Sequence, residues 1–215
     1  MDILVDLDGT LVDPKPGLIG SVQHALRKLG YPVPPAEELL WLIGPPFRVS
    51  FPKLLGRSDL TEEAIAHYRE SYVDGGMYDA IVYDGVADAL DRLCVAGCRL
   101  FVATAKPHYY ARPILERFDL ARRFAAIHGP ELDGTNDHKS DLIAHIVAKE
   151  GVRPEAAIMI GDREFDVTAA ARNGIRTIGV TWGYGSRAEL RAAGAAVLCD
   201  RPADLVSTVL ALSGR

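Results

Sequence analysis

Asp6 and Asp8 stand two positions apart in Asp6-Leu7-Asp8-Gly9-Thr10, directly behind an apolar run at the start of the chain. In extended chain, residues i and i+2 lie on one side, so both carboxylates can face one cavity. Further along come Thr104-Ala105-Lys106, then Lys139 shortly after Asn136-Asp137, then Gly161-Asp162 followed by Glu164 and Asp166. Three or four acids meeting at one edge would raise one another's pKa unless a cation sat among them. An oxygen-rich site of that kind suits a hard ion such as Mg²⁺. Lys139, expected near a helix N-terminus, opposes the helix dipole by about 0.3–1 kcal/mol, so an anionic partner is expected to outweigh the cost. Carboxylates with a cation, facing a lysine and a threonine hydroxyl, make a site for a phosphoryl group.

Each residue has an ordinary reading when taken alone. Asp8-Gly9 makes a common turn, Asp162 suits a helix N-cap, Thr104 fits a packed strand and Lys139 a solvated surface. What joins them is their order along the elements. Residues 2–6 read as a short buried strand, as do 99–104, 125–128, 157–161, 176–180 and 195–199. Helical segments are expected at 86–96, 107–117, 138–149, 164–173, 187–193 and 202–212, with Gly151 and Gly174 where C-terminal caps belong. Continuously apolar strands alternating with helices imply a parallel sheet covered on both faces. Every candidate side chain then falls at or just beyond a strand end or at a helix start, and ligands of open α/β sheets bind beyond the carboxyl ends of the strands.

Between the first strand and the rest, apolar residues recur at helical spacing. Four helices are expected: 18–29, stopped by Gly30; 36–43, between Pro34-Pro35 and Gly44-Pro45-Pro46; 47–55; and 61–74, with Thr61 as N-cap and Glu62 and Glu63 in its first turn. The predicted fold is a doubly wound α/β domain, residues 1–14 and 82–215, carrying an inserted four-helix domain, residues 15–81.

Composition narrows the function. Of 215 residues, 24 are Lys or Arg and 29 are Asp or Glu, a net charge of −5, so there is no basic excess to neutralise a nucleic-acid backbone. Nothing approaches the roughly 18 apolar residues of a membrane span, and acids interrupt the apolar N-terminus, unlike a signal peptide. The three cysteines, Cys94, Cys98 and Cys199, lack metal-site spacing and are expected to be small interior hydrophobes of a reducing, cytoplasmic protein. Gly183-Tyr184-Gly185 is not a dinucleotide fingerprint and is expected to be a structural loop.

Asp6-Leu7-Asp8-Gly9-Thr10, Thr104, Lys139 and Gly161-Asp162-Arg163-Glu164-Phe165-Asp166 together resemble the four motifs of the haloacid dehalogenase-like superfamily, chiefly its phosphatases. The inserted helices resemble the cap of its phosphoglycolate phosphatase-like branch. Ile43-Gly44-Pro45-Pro46-Phe47, Gly76-Met77-Tyr78 and Gly179–Ser186 are similar to the 5′-nucleotidase-like group within it. The resemblance implies that Asp6 attacks phosphorus and that Asp8 is the general acid and base. Mg²⁺ would bridge the Asp6 carboxylate, the Asp8 main-chain carbonyl and Asp162. Asp166 would act through a metal-bound water or by orienting Lys139, and Thr104 and Lys139 would bind phosphoryl oxygens. An aspartate at position 8 favours phosphate chemistry over carbon–halogen cleavage. Ala105 stands where relatives often have serine.

Substrate contacts are expected from Gly9, Thr10, Ala105, Lys106 and Arg48, with His108 and Tyr109 nearby; His24, His67 and His145 are expected at the surface. The expected activity is hydrolysis of a small phosphorylated metabolite, phosphoglycolate or a nucleoside 5′-monophosphate, by a monomer or homodimer that binds neither nucleic-acid polymer nor membrane. A sugar-phosphate mutase is the nearest alternative, and a phospho-accepting regulatory domain a more distant one.

Overall fold

The computed structural model describes residues 1–214 and divides the chain into two compact units, Met1–Val12 with Val82–Arg215, and Asp13–Ile81. In chain order the elements are β1 (Asp2–Val5), β2 (Val12–Asp13), α1 (Lys15–Lys28), α2 (Phe47–Leu55), α3 (Thr61–Val73), β3 (Ile81–Val82), α4 (Val86–Val95) and β4 (Arg99–Ala103). They continue with α5 (His108–Arg117), β5 (Ala126–His128), α6 (Lys139–Glu150), β6 (Ile158–Gly161), α7 (Glu164–Arg172), β7 (Arg176–Val180), α8 (Arg187–Ala192), β8 (Val197–Cys199) and α9 (Leu205–Ser213). β2 and β3 pair with each other where the chain passes from one unit to the other.

Six parallel strands form the larger unit's sheet in the order β5-β4-β1-β6-β7-β8. Counting only those strands, this is the 3-2-1-4-5-6 order of a doubly wound sheet, whose winding reverses between β1 and β6. Past polar first residues such as Asp2, Arg99 and Arg176, the strands are mostly apolar because both faces are covered. Ile3 and Val5 point into a core closed by Val86, Leu90 and Leu93 of α4, Ala111 and Leu115 of α5, and Val206 and Val209 of α9. Leu4, Phe101 and Met159 point the other way, onto Leu142, Ile143 and Ile146 of α6 and Ala169 and Ala170 of α7. The alternation within Ile3-Leu4-Val5 is the period of two that a strand imposes.

The smaller unit buries Leu18, Val22 and Leu26 of α1 with Phe51 of α2 and Ile65, Tyr68 and Tyr72 of α3. Tyr68 sits 4.3 Å from the Phe47 ring and 4.9 Å from Tyr72, centroid to centroid. Two expectations for this segment are corrected. Residues Ala36–Leu42 wind as a 3₁₀ helix, not an α-helix, being confined to about two turns between Pro35 and Gly44-Pro45-Pro46. Thr61 is the first residue inside α3 rather than its cap: Leu60 takes the capping position after a Ser58–Thr61 turn, and the Thr61 hydroxyl is buried without a hydrogen bond.

At the other end of the chain, the expected helix 202–212 begins as a 3₁₀ turn, Pro202–Asp204, before α9. Cys98 and Cys199 are buried as expected, but Cys94 lies on the exposed flank of α4, and none of the three forms a disulfide. Among the described residues, no helix is long and apolar enough to cross a membrane.

Burial this complete makes the sheet's central residues the sensitive ones. Phe101→Ala, at a position with no exposure, should lower stability by about 3–5 kcal/mol. Val95→Ala, at a position 90% exposed, should change it by less than about 0.5 kcal/mol. Urea unfolding followed by circular dichroism measures both, and similar midpoints for the two variants would contradict the core assignment.

Candidate active site

The two strands that flank the switch in winding each end in an aspartate. Asp6 follows β1, and its N–H donates to the Ile160 carbonyl at 2.9 Å, so the parallel ladder runs one residue past the strand and holds Asp6 at its end. Asp162 follows β6, and Asp166 lies in the first turn of α7. Oxygens of Asp6, Asp162 and Asp166 lie within 4.8 Å of one another, all three residues buried. Lys139, the first residue of α6, reaches Asp6 Oδ1 at 3.0 Å and also pairs with Asp166 Oδ1. The lysine that opposes its helix dipole thus has two anionic partners.

Glycines let the chain fold this tightly around Asp162. Gly9 has φ of +83°, and a Cβ there would lie 2.2 Å from Asp162 Oδ2. A Cβ on Gly183 would lie 2.4 Å from the same oxygen. The Asp162 carboxylate accepts from the Tyr184 N–H at 2.8 Å and from the Thr10 hydroxyl at 3.3 Å. The Trp182 indole N–H donates to the Thr10 carbonyl at 3.1 Å, tying the same loop to the β1 turn.

Asp8 is held apart from that group. Its carboxylate accepts from Lys106 Nζ at 2.8 Å, and both side chains are almost fully buried. The Lys106 N–H donates to the Thr104 hydroxyl oxygen at 3.2 Å, which leaves the Thr104 O–H proton for another acceptor.

Burial and charge both act on these groups. Burial pushes Asp162 up to about 8, helped by the Asp166 and Asp6 charges against the pull of the Tyr184 N–H and Lys139. Burial likewise raises Asp166 to about 6, with Lys139 opposing and Asp6 adding to the rise. Asp8 is raised by burial although the Lys106 ammonium counters it. Burial disfavours the Lys139 ammonium, but Asp166 and Asp6 outweigh that and hold it above the usual lysine range.

The acidic group fits a divalent cation. Asp6 Oδ1 and Asp166 Oδ1 are buried without a directed hydrogen bond, although Lys139 Nζ is close to both. Three carboxylates against one ammonium leave negative charge uncompensated, and the donor atoms are hard oxygens.

The residues expected from sequence are thus placed as follows. Asp6, Asp162, Asp166 and Lys139 are brought together; Asp8, Lys106 and Thr104 form an adjoining set; Thr10 and Gly9 support Asp162. Ala105 is partly buried between Thr104 and Lys106. Glu164 is exposed and outside the acidic group, so the convergence is of three carboxylates. Asp162 is not an N-cap, since Arg163 takes that position in α7. Arg48 belongs to the helical unit, where its guanidinium pairs with Glu62 at 2.8 Å. The 182–185 turn, which in sequence could border the site or be a structural loop, brings Trp182 and Tyr184 against Thr10 and Asp162. Sequence reasoning passed over Glu189 entirely. Glu189 Oε1 accepts from Arg163 Nε at 2.8 Å and from the Glu164 N–H at 2.9 Å, a role carrying no local signal.

Residues 3–180 match the family described as haloacid dehalogenase-like hydrolase. The chain belongs to that family. A 5′-nucleotidase of Pseudomonas aeruginosa is 46% identical over 192 residues, covering 89% of this chain and 87% of that protein. The tyrosine-protein kinase PtkA of Mycobacterium tuberculosis is 40% identical over 183 residues, 85% of this chain and 62% of that longer protein. Phosphoglycolate phosphatase 1 of P. aeruginosa is more distant, 32% identical over 85% of this chain and 70% of that protein. Among solved structures, a predicted phosphatase from Clostridium acetobutylicum superposes with a TM-score of 0.95, at 38% identity and 98% coverage of both chains. The family's parallel sheet is therefore the fold of this chain.

The raised carboxyls make a pH prediction. Asp162 and Asp166 keep protons in the folded protein that free carboxyls, at 3.8, have already lost. The metal-free protein should therefore lose stability as pH rises from about 4 to about 8. A bound divalent ion takes the place of those protons. The melting temperature in EDTA should fall from pH ~5 to pH ~8, Mg²⁺ should raise it more at the higher pH, and Asp162→Asn should flatten both responses. Scanning fluorimetry tests this, and an equal Mg²⁺ effect at both pH values would count against a cation among these carboxylates.

Proposed function

We propose that this chain is a Mg²⁺-dependent phosphatase that hydrolyses small-metabolite phosphomonoesters through an aspartyl-phosphate. The observation that carries this reading is the division of Asp6 and Asp8 between two lysines. Asp6 sits with Lys139 and the acidic group, and Asp8 sits with Lys106.

In the proposed first step an Asp6 carboxylate oxygen bonds to phosphorus while the ester oxygen departs with the bonding pair. The Asp8 carboxyl, raised by burial, gives that oxygen its proton. In the second step Asp8 takes a proton from water as the water oxygen attacks phosphorus. The bond from phosphorus to Asp6 breaks, inorganic phosphate leaves, and both aspartates return to their starting states. Lys139 and the Thr104 hydroxyl hold phosphoryl oxygens throughout, the lysine staying cationic against burial because Asp166 and Asp6 flank it. Held by Asp6, Asp162 and Asp166, Mg²⁺ would supply the positive charge that lets a carboxylate approach an anionic phosphate.

Nucleoside 5′-monophosphates and phosphoglycolate are the first substrates to test, from the names of the relatives. PtkA favours a second reading, phosphoryl transfer from ATP to a protein tyrosine. One panel separates the readings: phosphate release from nucleoside monophosphates, phosphoglycolate and glucose 1-phosphate with and without Mg²⁺, beside γ-phosphoryl transfer from ATP to a tyrosine peptide.

Mg²⁺-dependent phosphate release is expected. Transfer to the peptide without hydrolysis would establish the second reading, and glucose 6-phosphate without free phosphate would establish a mutase. Asp6→Asn should reduce release from an aryl phosphate to background while keeping the far-ultraviolet spectrum of the folded protein; substantial remaining turnover would remove Asp6 as the nucleophile.

A further inference from the structure

Arg163, which caps α7, and Glu164 and Phe165 of its first turn separate Asp162 from Asp166 and set the spacing of two of the three clustered carboxylates. The grip of Arg163 on Asp166 is reciprocal. The Arg163 N–H donates to Asp166 Oδ2 at 3.0 Å, and the Asp166 N–H donates to the Arg163 carbonyl at 3.1 Å. Occupying Oδ2 in this way leaves Oδ1 turned toward Lys139 and Asp6. The placement of the Arg163 peptide therefore governs how Asp166 is presented.

That peptide is tied down from outside the strand and helix that carry the acids. Oε1 of Glu189, on α8, accepts from both Arg163 Nε at 2.8 Å and the Glu164 N–H at 2.9 Å. The guanidinium and the carboxylate are 13% and 21% exposed, so the pair is largely shielded from water and its bonds are charge-assisted. Glu189 itself is fixed at the start of its helix, where its N–H donates to the Ser186 hydroxyl oxygen at 3.0 Å. The same stretch of chain supplies the Tyr184 N–H that holds Asp162 at 2.8 Å. One segment, 184–189, thus braces Asp162 directly and Asp166 through Arg163.

We propose that Glu189 is a positioning residue for the cation site. It makes no contact with the ion's carboxylates but sets their spacing through the 163–164 peptides. The inference rests on the cation reading given above and extends it to a residue beyond the four motifs. Partners that orient metal-ligating side chains typically contribute about 10–100-fold to metal affinity. A residue that only stabilised the fold would change the melting temperature and leave affinity for the ion alone.

Isothermal titration of Mg²⁺ into the substrate-free protein gives a readout independent of turnover. Glu189→Ala should weaken Mg²⁺ binding by about 10–100-fold. Glu189→Gln, which keeps an oxygen for the Glu164 N–H but loses the charge facing Arg163, should fall between. Asp200→Asn breaks the ion pair that Arg187 of the same helix makes with Asp200, and should leave affinity unchanged.

Equal affinity in Glu189→Ala and the unsubstituted chain would overturn the inference, as would an equal loss in Asp200→Asn, which would mean that loosening α8 anywhere suffices. Absence of Mg²⁺ binding in the unsubstituted protein would instead overturn the cation reading, and this inference with it. Should Glu189→Ala fail to fold by circular dichroism, the Gln variant carries the comparison, and unchanged affinity there would overturn the inference.

Discussion

Crowding of three carboxylates around one ammonium is the constraint from which the rest of the larger unit follows. Oxygens of Asp6, Asp162 and Asp166 within 4.8 Å of one another would repel by about 3–4 kcal/mol per pair at an effective dielectric constant of about 20. Lys139 offsets part of this, and burial removes the water that would otherwise screen the remainder. The folded chain can hold such a group only if protons or a cation share it, which is why burial raises Asp162 and Asp166. A glycine at 9 and another at 183 admit the close approach that brings Asp162 into the group. The site is therefore assembled against its own electrostatics, by packing that leaves the carboxylates nowhere else to go.

Sheet topology makes that assembly possible. Asp6 and Asp162 are 156 positions apart in sequence but leave neighbouring strands, β1 and β6, at the point where the winding reverses. Chain connections on the two sides of that point diverge to opposite faces, the arrangement that opens a crevice at the carboxyl ends of such strands. Strands buried on both faces keep the carboxyl ends in fixed register, with Val5 opposite Ile160 and the next N–H bonded across.

Much of this is legible in the sequence alone, because it depends on local pattern. Ile3-Leu4-Val5 and Ile158-Met159-Ile160 announce buried strands, and the polar residues behind them fall at strand ends. Arg48 is a candidate substrate contact in sequence, and its pairing with Glu62, fourteen positions away on another helix, carries no sequence signal. The same limit hid Glu189, whose two side-chain hydrogen bonds cross 25 and 26 positions to the start of α7, which has no complementary signature. Helix type in residues 36–42 escaped for a different reason: the spacing of apolar residues fits either winding over so few turns.

The two neighbouring aspartates show how a fold gives chemically identical groups different surroundings. Asp6 and Asp8 share a strand end and a residue type, and spacing alone sends both carboxylates to one side. Lysines from different elements separate them: Lys139 opens α6, while Lys106 follows β4. A nucleophile must remain anionic and face the electrophile, whereas an acid must keep a proton until the leaving oxygen needs it. Burial favours the proton on Asp8, and the Lys106 ammonium tempers that preference without reversing it. On the proposed mechanism, a carboxyl under these two opposing influences is the one asked to serve both successive steps. Were Lys106 absent, burial would bias Asp8 further toward its acid form. On the proposed mechanism, the second lysine would then be as much a part of acid–base balance as the aspartate that carries the proton.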